Sequence, residues 1–237
     1  MSQISYAAAL SKNIVKTPVD LKKMPAEKIL FVIDAYTLTQ MDINFGPSSI
    51  DAISSLKIIE RAYKYFALMK NRYQSNQFAI CLLTPLSYNM VLDFTSDIKV
   101  IIKELTLLSN SLFINEDVAA YDFGPFLTFV AKLRTSHKDS VFRVLMSYNR
   151  DDCLPIIDVL DENTFSTFCS PNFFFDIIYI CGNNIKIDEM AQTIYGKLAV
   201  LCNPLSYKVC VQRKPMAIMN GLSSLLPHPH VRVLHSS

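Results

Sequence analysis

The stretch that decides the fold is residues 28–40, with the sequence KILFVIDAYTLTQ. Five consecutive apolar residues, 29–33, lead to a single acid, Asp34, and polar residues follow it. Because the run does not alternate polar with apolar residues, it predicts a strand covered on both faces, as in the centre of a parallel sheet. Ligands bind beyond the carboxyl ends of such strands, so Asp34 lies where an α/β domain keeps its chemistry.

Strands and helices are predicted to alternate along the rest of the chain. Apolar residues at three- and four-residue steps predict helices at about 50–73, 98–108, 126–133, 187–201 and 216–225, with shorter helical turns within 156–169. Further strands are predicted at 77–84, 88–95, 141–147, 173–181 and 207–212. The strand at 88–95 is the more polar one, which is typical of an antiparallel edge. We therefore expect a Rossmann-like α/β fold with a doubly wound, mostly parallel sheet and one antiparallel edge strand.

Composition predicts one globular domain at 27–226, with a flexible leader at 1–26 and an extended carboxyl-terminal tail at 227–237. Hydrophobic residues make up 51% of the chain and charged residues 19%, which is enough apolar material for a large core. The 23 basic and 21 acidic residues leave a net charge of +2, so neither nucleic acid nor a membrane surface is an expected partner. The chain shows no secretory signal or membrane span, which predicts a cytoplasmic and nuclear protein.

Two kinds of chemistry begin with an acid at the position of Asp34, and each lacks a partner residue here. A phosphatase of the haloacid-dehalogenase type needs a second acid two residues later to handle the proton, but Tyr36 stands there. A metal-binding von Willebrand A domain needs the pattern DxSxS, in which one carboxylate and two hydroxyls coordinate magnesium. Those hydroxyl positions hold Tyr36 and Leu38. The site is predicted to be degenerate, with no catalytic residue, no metal and no cofactor.

Two alternatives for Asp34 stay open at this point. One is a magnesium-dependent ligand-binding domain, in which Asp34, Thr37 or Thr39 and a loop acid form a shifted metal site. The nearest loop acids after a predicted strand are Asp151 and Asp152, which we expect to be solvated. The other alternative is a hydrolase built on Asp34, and the missing second acid argues against it.

The six cysteines and the clustered histidines give little support to a metal site. No two cysteines have the close spacing of a zinc knuckle, so we expect reduced thiols in an intracellular protein. A site formed by His228, His230 and His235 has no acid or thiol near it in sequence.

The tail is instead predicted to contact a partner. Its proline-rich, alternating sequence can lie in a groove or add to a sheet edge. The expected contact residues are Leu226, Pro227, His228, Pro229, Val231, Val233 and Leu234.

Three consecutive aromatic residues, Phe173, Phe174 and Phe175, begin one predicted strand. Consecutive residues of a strand point to opposite faces, so at least one of the rings needs cover outside a single core. A neighbouring helix is the expected cover, and a partner is the alternative.

The same region carries a resemblance to a known family. Residues 169–180 read CSPNFFFDIIYI and closely resemble the sequence CPYFFFDVVYI of the von Willebrand A-like MERIT subunit of BRISC and its nuclear counterpart ARISC. Weaker resemblances occur in the same order along residues 28–230. They are the first strand at 28–34, FTSD at 94–97, VLMSY at 144–148, SYK at 206–208 and LL-x-HP at 225–229.

The resemblance implies a von Willebrand A-like fold and a scaffold without activity of its own. BRISC and ARISC are deubiquitinase assemblies, in which this subunit binds a ubiquitin-conjugating-enzyme-like subunit. A separate JAMM protease, with its pseudo-enzyme partner, cleaves ubiquitin chains joined through lysine sixty-three of ubiquitin. Contact of the scaffold with polyubiquitin is expected to be indirect. The implied processes are DNA-damage signalling, mitosis and cytokine-receptor turnover.

Overall fold

The computed structural model describes residues 25–35, 55–73, 75–109, 118–157, 161–182 and 188–232. Eight strands in these ranges form two sheets. The larger sheet contains β1 (Glu27–Asp34), β2 (Gln77–Leu83), β3 (Tyr88–Thr95), β5 (Val141–Tyr148), β7 (Phe173–Cys181) and β8 (Lys208–Gln212). The smaller one pairs β4 (Ala120–Asp122) with β6 (Leu154–Ile156).

Six helices in the described ranges connect these strands, and a single 3-10 turn follows them. They are α1 (Ser55–Tyr73), α2 (Ile98–Ser109), α3 (Gly124–Thr135), α4 (Glu162–Phe168), α5 (Glu189–Ala199) and α6 (Pro215–Ser224), with the turn at Pro229–Val231. Local sequence signals place several of their starts. The side chains of Asp161 and Asp188 accept backbone N–H groups at the starts of α4 and α5, and Pro215 begins α6. None of the described helices is both long and apolar enough to cross a membrane.

The six-stranded sheet has the order β3-β2-β1-β5-β7-β8, with β1 between β2 and β5. All of its neighbouring strands are parallel except β2 and β3, which are antiparallel. The predicted fold class, including the antiparallel edge at β3, is confirmed.

Helices cover both faces of the sheet, which makes a three-layer domain. One apolar cluster joins α1, α2 and α6 to one face, with Phe31, Tyr63 and Ile178 among its members. The other cluster joins α3, α4 and α5 to the opposite face, with Phe126 and Phe175 among its members. Because side chains of one strand alternate between these clusters, the apolar runs of β1, β5 and β7 have no exposed face.

The structure contains one small sheet that was not predicted, and it corrects one prediction about the tail. The small sheet of β4 and β6 was not predicted, since three-residue strands carry no detectable periodicity. The tail is not extended throughout, because Pro229–Val231 forms a 3-10 turn in which the His228 side chain accepts the N–H of His230. The predicted leader, 1–26, lies outside the described residues except for its last two positions.

Candidate functional site

Asp34 lies at the carboxyl end of β1, as predicted, and its carboxylate is bound by an arginine. Its Oδ1 accepts the Nε and Nη2 groups of Arg150 at 3.0 and 2.9 Å. Its Oδ2 lies 3.1 Å from the same Nε and 3.2 Å from the backbone nitrogen of Asn149. Asp34 is 1% exposed and Arg150 is 0% exposed. The two side chains form a buried, bidentate ion pair, which is the strongest geometry for an arginine and a carboxylate.

The same guanidinium binds a second strand end. Nη2 of Arg150 donates to the carbonyl of Thr84 at 2.8 Å, and Nη1 donates to the carbonyl of Pro85 at 3.2 Å. The guanidinium carbon lies 4.5 Å from the ring centroid of Tyr121, in cation–π contact. Burial acts to lower the pKa of Arg150, but the charge of Asp34 outweighs it, so the pKa lies above its usual value. One permanently charged side chain therefore connects the carboxyl ends of β1, β2 and β5.

These residues do not fit a magnesium ion. Magnesium needs oxygen ligands in near-octahedral geometry, but both carboxylate oxygens of Asp34 already accept hydrogen bonds from Arg150. An ion at this carboxylate would also lie beside a buried guanidinium, where like charges repel strongly. The alternative ligands Thr37 and Thr39, and the degenerate positions Tyr36 and Leu38, lie outside the described residues. Within the described ranges, no three His, Cys, Asp or Glu side chains form a metal-binding group.

Asp151 is only partly solvated, because its side chain is 22% exposed and also forms an ion pair. Its Oδ2 accepts Nη2 of Arg213 at 2.8 Å, and the N–H of Gly182 lies 3.2 Å from each of its carboxylate oxygens. Arg213 also donates to the carbonyl of Asn149 at 3.2 Å, next to the Asp34–Arg150 pair. Asp151 thus joins the ends of β7 and β8 to the loop after β5. Asp152 is exposed, as predicted.

A second buried charge cluster lies in the opposite half of the sheet, and sequence reasoning missed it. Asp176, in the middle of β7, accepts Nε of Arg143 at 2.6 Å and two nitrogens of Arg232 at 2.7 and 2.8 Å. Glu27, the first residue of β1, pairs with Lys70 and with Arg143. The available signal was a single acid within the apolar run FFFDIIYIC, since a buried charge needs a partner.

Burial and ion pairing shift the pKa values of Asp176 and Glu27 in opposite directions. Burial raises the pKa of Asp176, but the charges of Arg143 and Arg232 outweigh it and hold the pKa below its usual value. The pKa of Glu27 is also lowered, since Arg143 and Lys70 outweigh the effect of burial. Both carboxylates are therefore ionised, and their role is to form ion pairs within the fold.

The tail residues contact their own domain rather than extending from it. Arg232 is 7% exposed, and its guanidinium lies 4.5 Å from the ring of Tyr207 in addition to its pairing with Asp176. His228 is buried, with Nε2 lying 3.2 Å from the carbonyl oxygen of Pro25. Leu226 packs on the core, and Pro229 is buried. Of the described predicted contact residues, Pro227 and Val231 remain exposed, and Val233 and Leu234 lie outside the described part of the chain.

The tail also covers the middle ring of the phenylalanine triplet. Phe173 and Phe175 belong to the core beside Phe168 of α4, as expected for rings under a helix. Phe174 points to the other face, and its ring lies edge-on to His230 at 5.4 Å between centroids. A helix thus covers two of the rings, and the tail, a segment without helical periodicity, supplies part of the cover of Phe174.

Comparison with solved structures identifies the fold. The chain aligns with the von Willebrand A domain of SpRpn10 at a TM-score of 0.52 and 13% identity, over 85% of this chain and 95% of that one. The fold is that of a von Willebrand A domain. The corresponding domain of the type V pili tip protein Mfa5 from Porphyromonas gingivalis aligns at a TM-score of 0.51 and 9% identity, over 85% and 95% of the two chains.

A minor pilin has the same fold within a longer chain. The PilB minor pilin from Streptococcus sanguinis aligns at a TM-score of 0.58 and 9% identity, over 88% of this chain. The alignment spans 62% of the pilin's length. No protein-family model and no curated protein matches the sequence. The likeness thus establishes a von Willebrand A-like fold, at identities too low to transfer a function.

Proposed function

We propose that this von Willebrand A-like domain is a non-catalytic scaffold subunit of a deubiquitinase complex specific for chains joined through lysine sixty-three of ubiquitin. It binds the ubiquitin-conjugating-enzyme-like subunit of that complex. The structural observation that carries the proposal is the Asp34–Arg150 ion pair, because it occupies the carboxylate at the end of the central strand, where metal or nucleophilic chemistry would begin. The resemblance at residues 169–180 supports the choice of complex, and the fold suggests a protein-interaction domain.

The other partners follow from the same proposal. The JAMM deubiquitinase and its pseudo-enzyme partner belong to the complex without requiring contact with this chain. Polyubiquitin is contacted indirectly, through the assembled complex. The proposed location is cytoplasmic and nuclear, since deubiquitinase assemblies of this type act in both compartments.

The tail is proposed as part of the contact with the ubiquitin-conjugating-enzyme-like subunit. Since Arg232 and His228 fix this segment to the domain, its exposed side chains are held in one geometry before binding. Preorganised contacts lose less conformational entropy on association. Val231 is 37% exposed and is the best placed apolar contact in the described tail.

The test is binding of the purified chain to the ubiquitin-conjugating-enzyme-like subunit, followed by size-exclusion chromatography and calorimetry. We expect a stable complex at micromolar concentration. Val231→Asp should weaken it at least about tenfold, equivalent to about 1.4 kcal/mol. The matched control is Leu86→Asp, because Leu86 is 73% exposed and follows β2 at the other end of the sheet.

The outcomes separate the two parts of the proposal. No complex at micromolar concentration would refute the scaffold function. A complex that both variants leave unchanged would retain the function and refute the contact through Val231. A complex weakened only by Leu86→Asp would place the contact at the carboxyl ends of the strands.

A further inference from the structure

Two cysteines of the outer strands lie with their thiols in contact. Cys181 is the last residue of β7, and Cys210 is the middle residue of β8. In the parallel pairing, Cys210 lies opposite Tyr179, two residues before Cys181, so both thiols are on the same face of the sheet. Their sulfur atoms are 3.4 Å apart, and the two thiols are reduced.

The surroundings of the pair favour ionisation of one sulfur. Either sulfur can donate in the hydrogen bond between the two thiols, and this bond, with the charge of Arg213, lowers the pKa of Cys181 in spite of burial and the charge of Asp151. The same hydrogen bond raises the pKa of Cys210. A thiolate held next to a second thiol is the arrangement in which an oxidised sulfur is captured quickly.

The pair lies at the edge of the sheet, where Cys210 is partly accessible although Cys181 is only 1% exposed. β8 is the edge strand of the sheet, Cys210 is half-buried, and Gly182 after Cys181 is exposed. Cys81 and Cys153, in contrast, are both 0% exposed. A hydroperoxide reaches the pair at this edge past the half-buried Cys210, whereas Cys81 and Cys153 lie in the core without such a neighbour.

We propose that Cys181 and Cys210 form a peroxide-sensitive modification site that closes to an intrachain disulfide. The Cys181 thiolate attacks one oxygen of hydrogen peroxide; an S–O bond forms, the O–O bond breaks, and the leaving hydroxide takes up a proton. The sulfur of Cys210 then attacks the sulfenic sulfur, an S–S bond forms, and the hydroxyl leaves as water with the Cys210 proton. In total, two thiols lose two electrons and two protons, and the peroxide becomes two waters.

Formation of the disulfide changes the carboxyl ends of the strands, where the buried ion pairs lie. A disulfide has sulfur atoms about 2.05 Å apart, so the two strands must approach or rotate locally. Gly182, next to Cys181, donates to Asp151, and the partner of Asp151 is Arg213, three residues after Cys210. The oxidation state of the thiols is therefore coupled to the Asp151–Arg213 pair.

The first experiment uses the unaltered chain. It is treated with hydrogen peroxide, the remaining thiols are alkylated, and the peptides are mapped by mass spectrometry. We expect a Cys181–Cys210 disulfide with loss of two hydrogen atoms, formed at least about tenfold faster than oxidation of Cys81 or Cys153, and reversed by dithiothreitol. Persistence of both thiols, or oxidation of each to a sulfinic acid without a disulfide, would overturn the proposal.

Two variants test the order of the steps. In Cys210→Ser, the sulfenic acid of Cys181 has no thiol to capture it and should be labelled by dimedone. In Cys181→Ser, Cys210 should remain unlabelled. Dimedone on Cys210 alone would contradict the order. Circular dichroism of both variants establishes that the fold is retained before labelling.

Discussion

At the scale of single residues, the arginine at position 150 occupies the carboxylate at the centre of the crevice of this domain. Its guanidinium supplies a positive charge at the carboxylate of Asp34 and hydrogen-bonds the carbonyls of Thr84 and Pro85. A metal ion in such a crevice also joins loops through oxygen atoms. The Arg150 guanidinium thus connects the loops as a metal ion would. It is part of the chain, so a chelator cannot remove it.

Replacing Arg150 by methionine should destabilise the domain by about 3–5 kcal/mol, because the buried Asp34 carboxylate loses its partner. The double variant Asp34→Asn with Arg150→Met should recover part of this loss, since neither charge remains. Arg213→Met is the control, with an expected loss of about 1 kcal/mol because its partner Asp151 is 22% exposed. Urea unfolding measures all three. Equal losses for the single and double variants would contradict a buried ion pair.

His228 is predicted to make stability depend on pH. Burial lowers its pKa to about 4, with Lys70 adding to the effect and Glu27 opposing it. The ordinary value is 6.5, so below that pH the unfolded chain binds a proton that the folded chain does not. The free energy of unfolding should therefore fall as the pH drops from about 6.5 to 4, by up to about 3 kcal/mol.

The measurement compares the unaltered chain with His228→Gln in urea unfolding from pH 7 to 4.5. Glutamine keeps a donor for the carbonyl of Pro25 but does not titrate. We expect the difference in stability between the two proteins to change with pH in favour of His228→Gln on acidification. A constant difference across this range would show that His228 is not buried as a neutral ring.

At the scale of elements, β7 connects the sheet to the carboxyl-terminal segment. Asp176 in its centre holds Arg232 and the N–H of Tyr207, and Phe174 packs on His230. Arg143 of the neighbouring strand completes the cluster through the carbonyl of Leu225. The tail is therefore part of the folded domain at least as far as Arg232, although composition alone assigned it to a separate extended segment.

Replacement of Arg232 by methionine should loosen this segment. Asp176 would keep Arg143 but lose two charge-assisted hydrogen bonds, with an expected cost of about 2–4 kcal/mol. Val231→Ala, one residue earlier and exposed, should change stability by less than about 0.5 kcal/mol. Hydrogen exchange at the backbone of 226–232 should become faster in the arginine variant. Unchanged exchange and unchanged stability would show that Arg232 does not fix the tail.

The parts of the fold that were predicted are those with long, local signals. The apolar runs of β1, β5 and β7 mark buried parallel strands, and the polar character of 88–95 marks the edge. The partner of Asp34 could not be predicted in this way, because Arg150 lies 116 residues away in sequence. The sequence does carry one local signal. An arginine stands just after a buried strand, at a position where a metal site would need an acid.

At the scale of the whole molecule, buried charge pairs join loops and the tail to the two halves of the sheet. The Asp34–Arg150 pair joins loops at the carboxyl ends of the strands, and the Asp176 cluster joins the chain's tail to the opposite half. Stability should therefore be independent of divalent metal. Magnesium at millimolar concentration should leave Tm unchanged, and a rise in Tm would support the shifted metal site instead.

The most direct test of the scaffold function is calorimetric titration of the unaltered chain with the ubiquitin-conjugating-enzyme-like subunit, once with magnesium and once with EDTA. If the domain is a metal-independent scaffold, a complex forms at micromolar concentration or tighter, with the same Kd in both solutions. Failure to bind in either solution, or binding that requires magnesium, would contradict the account.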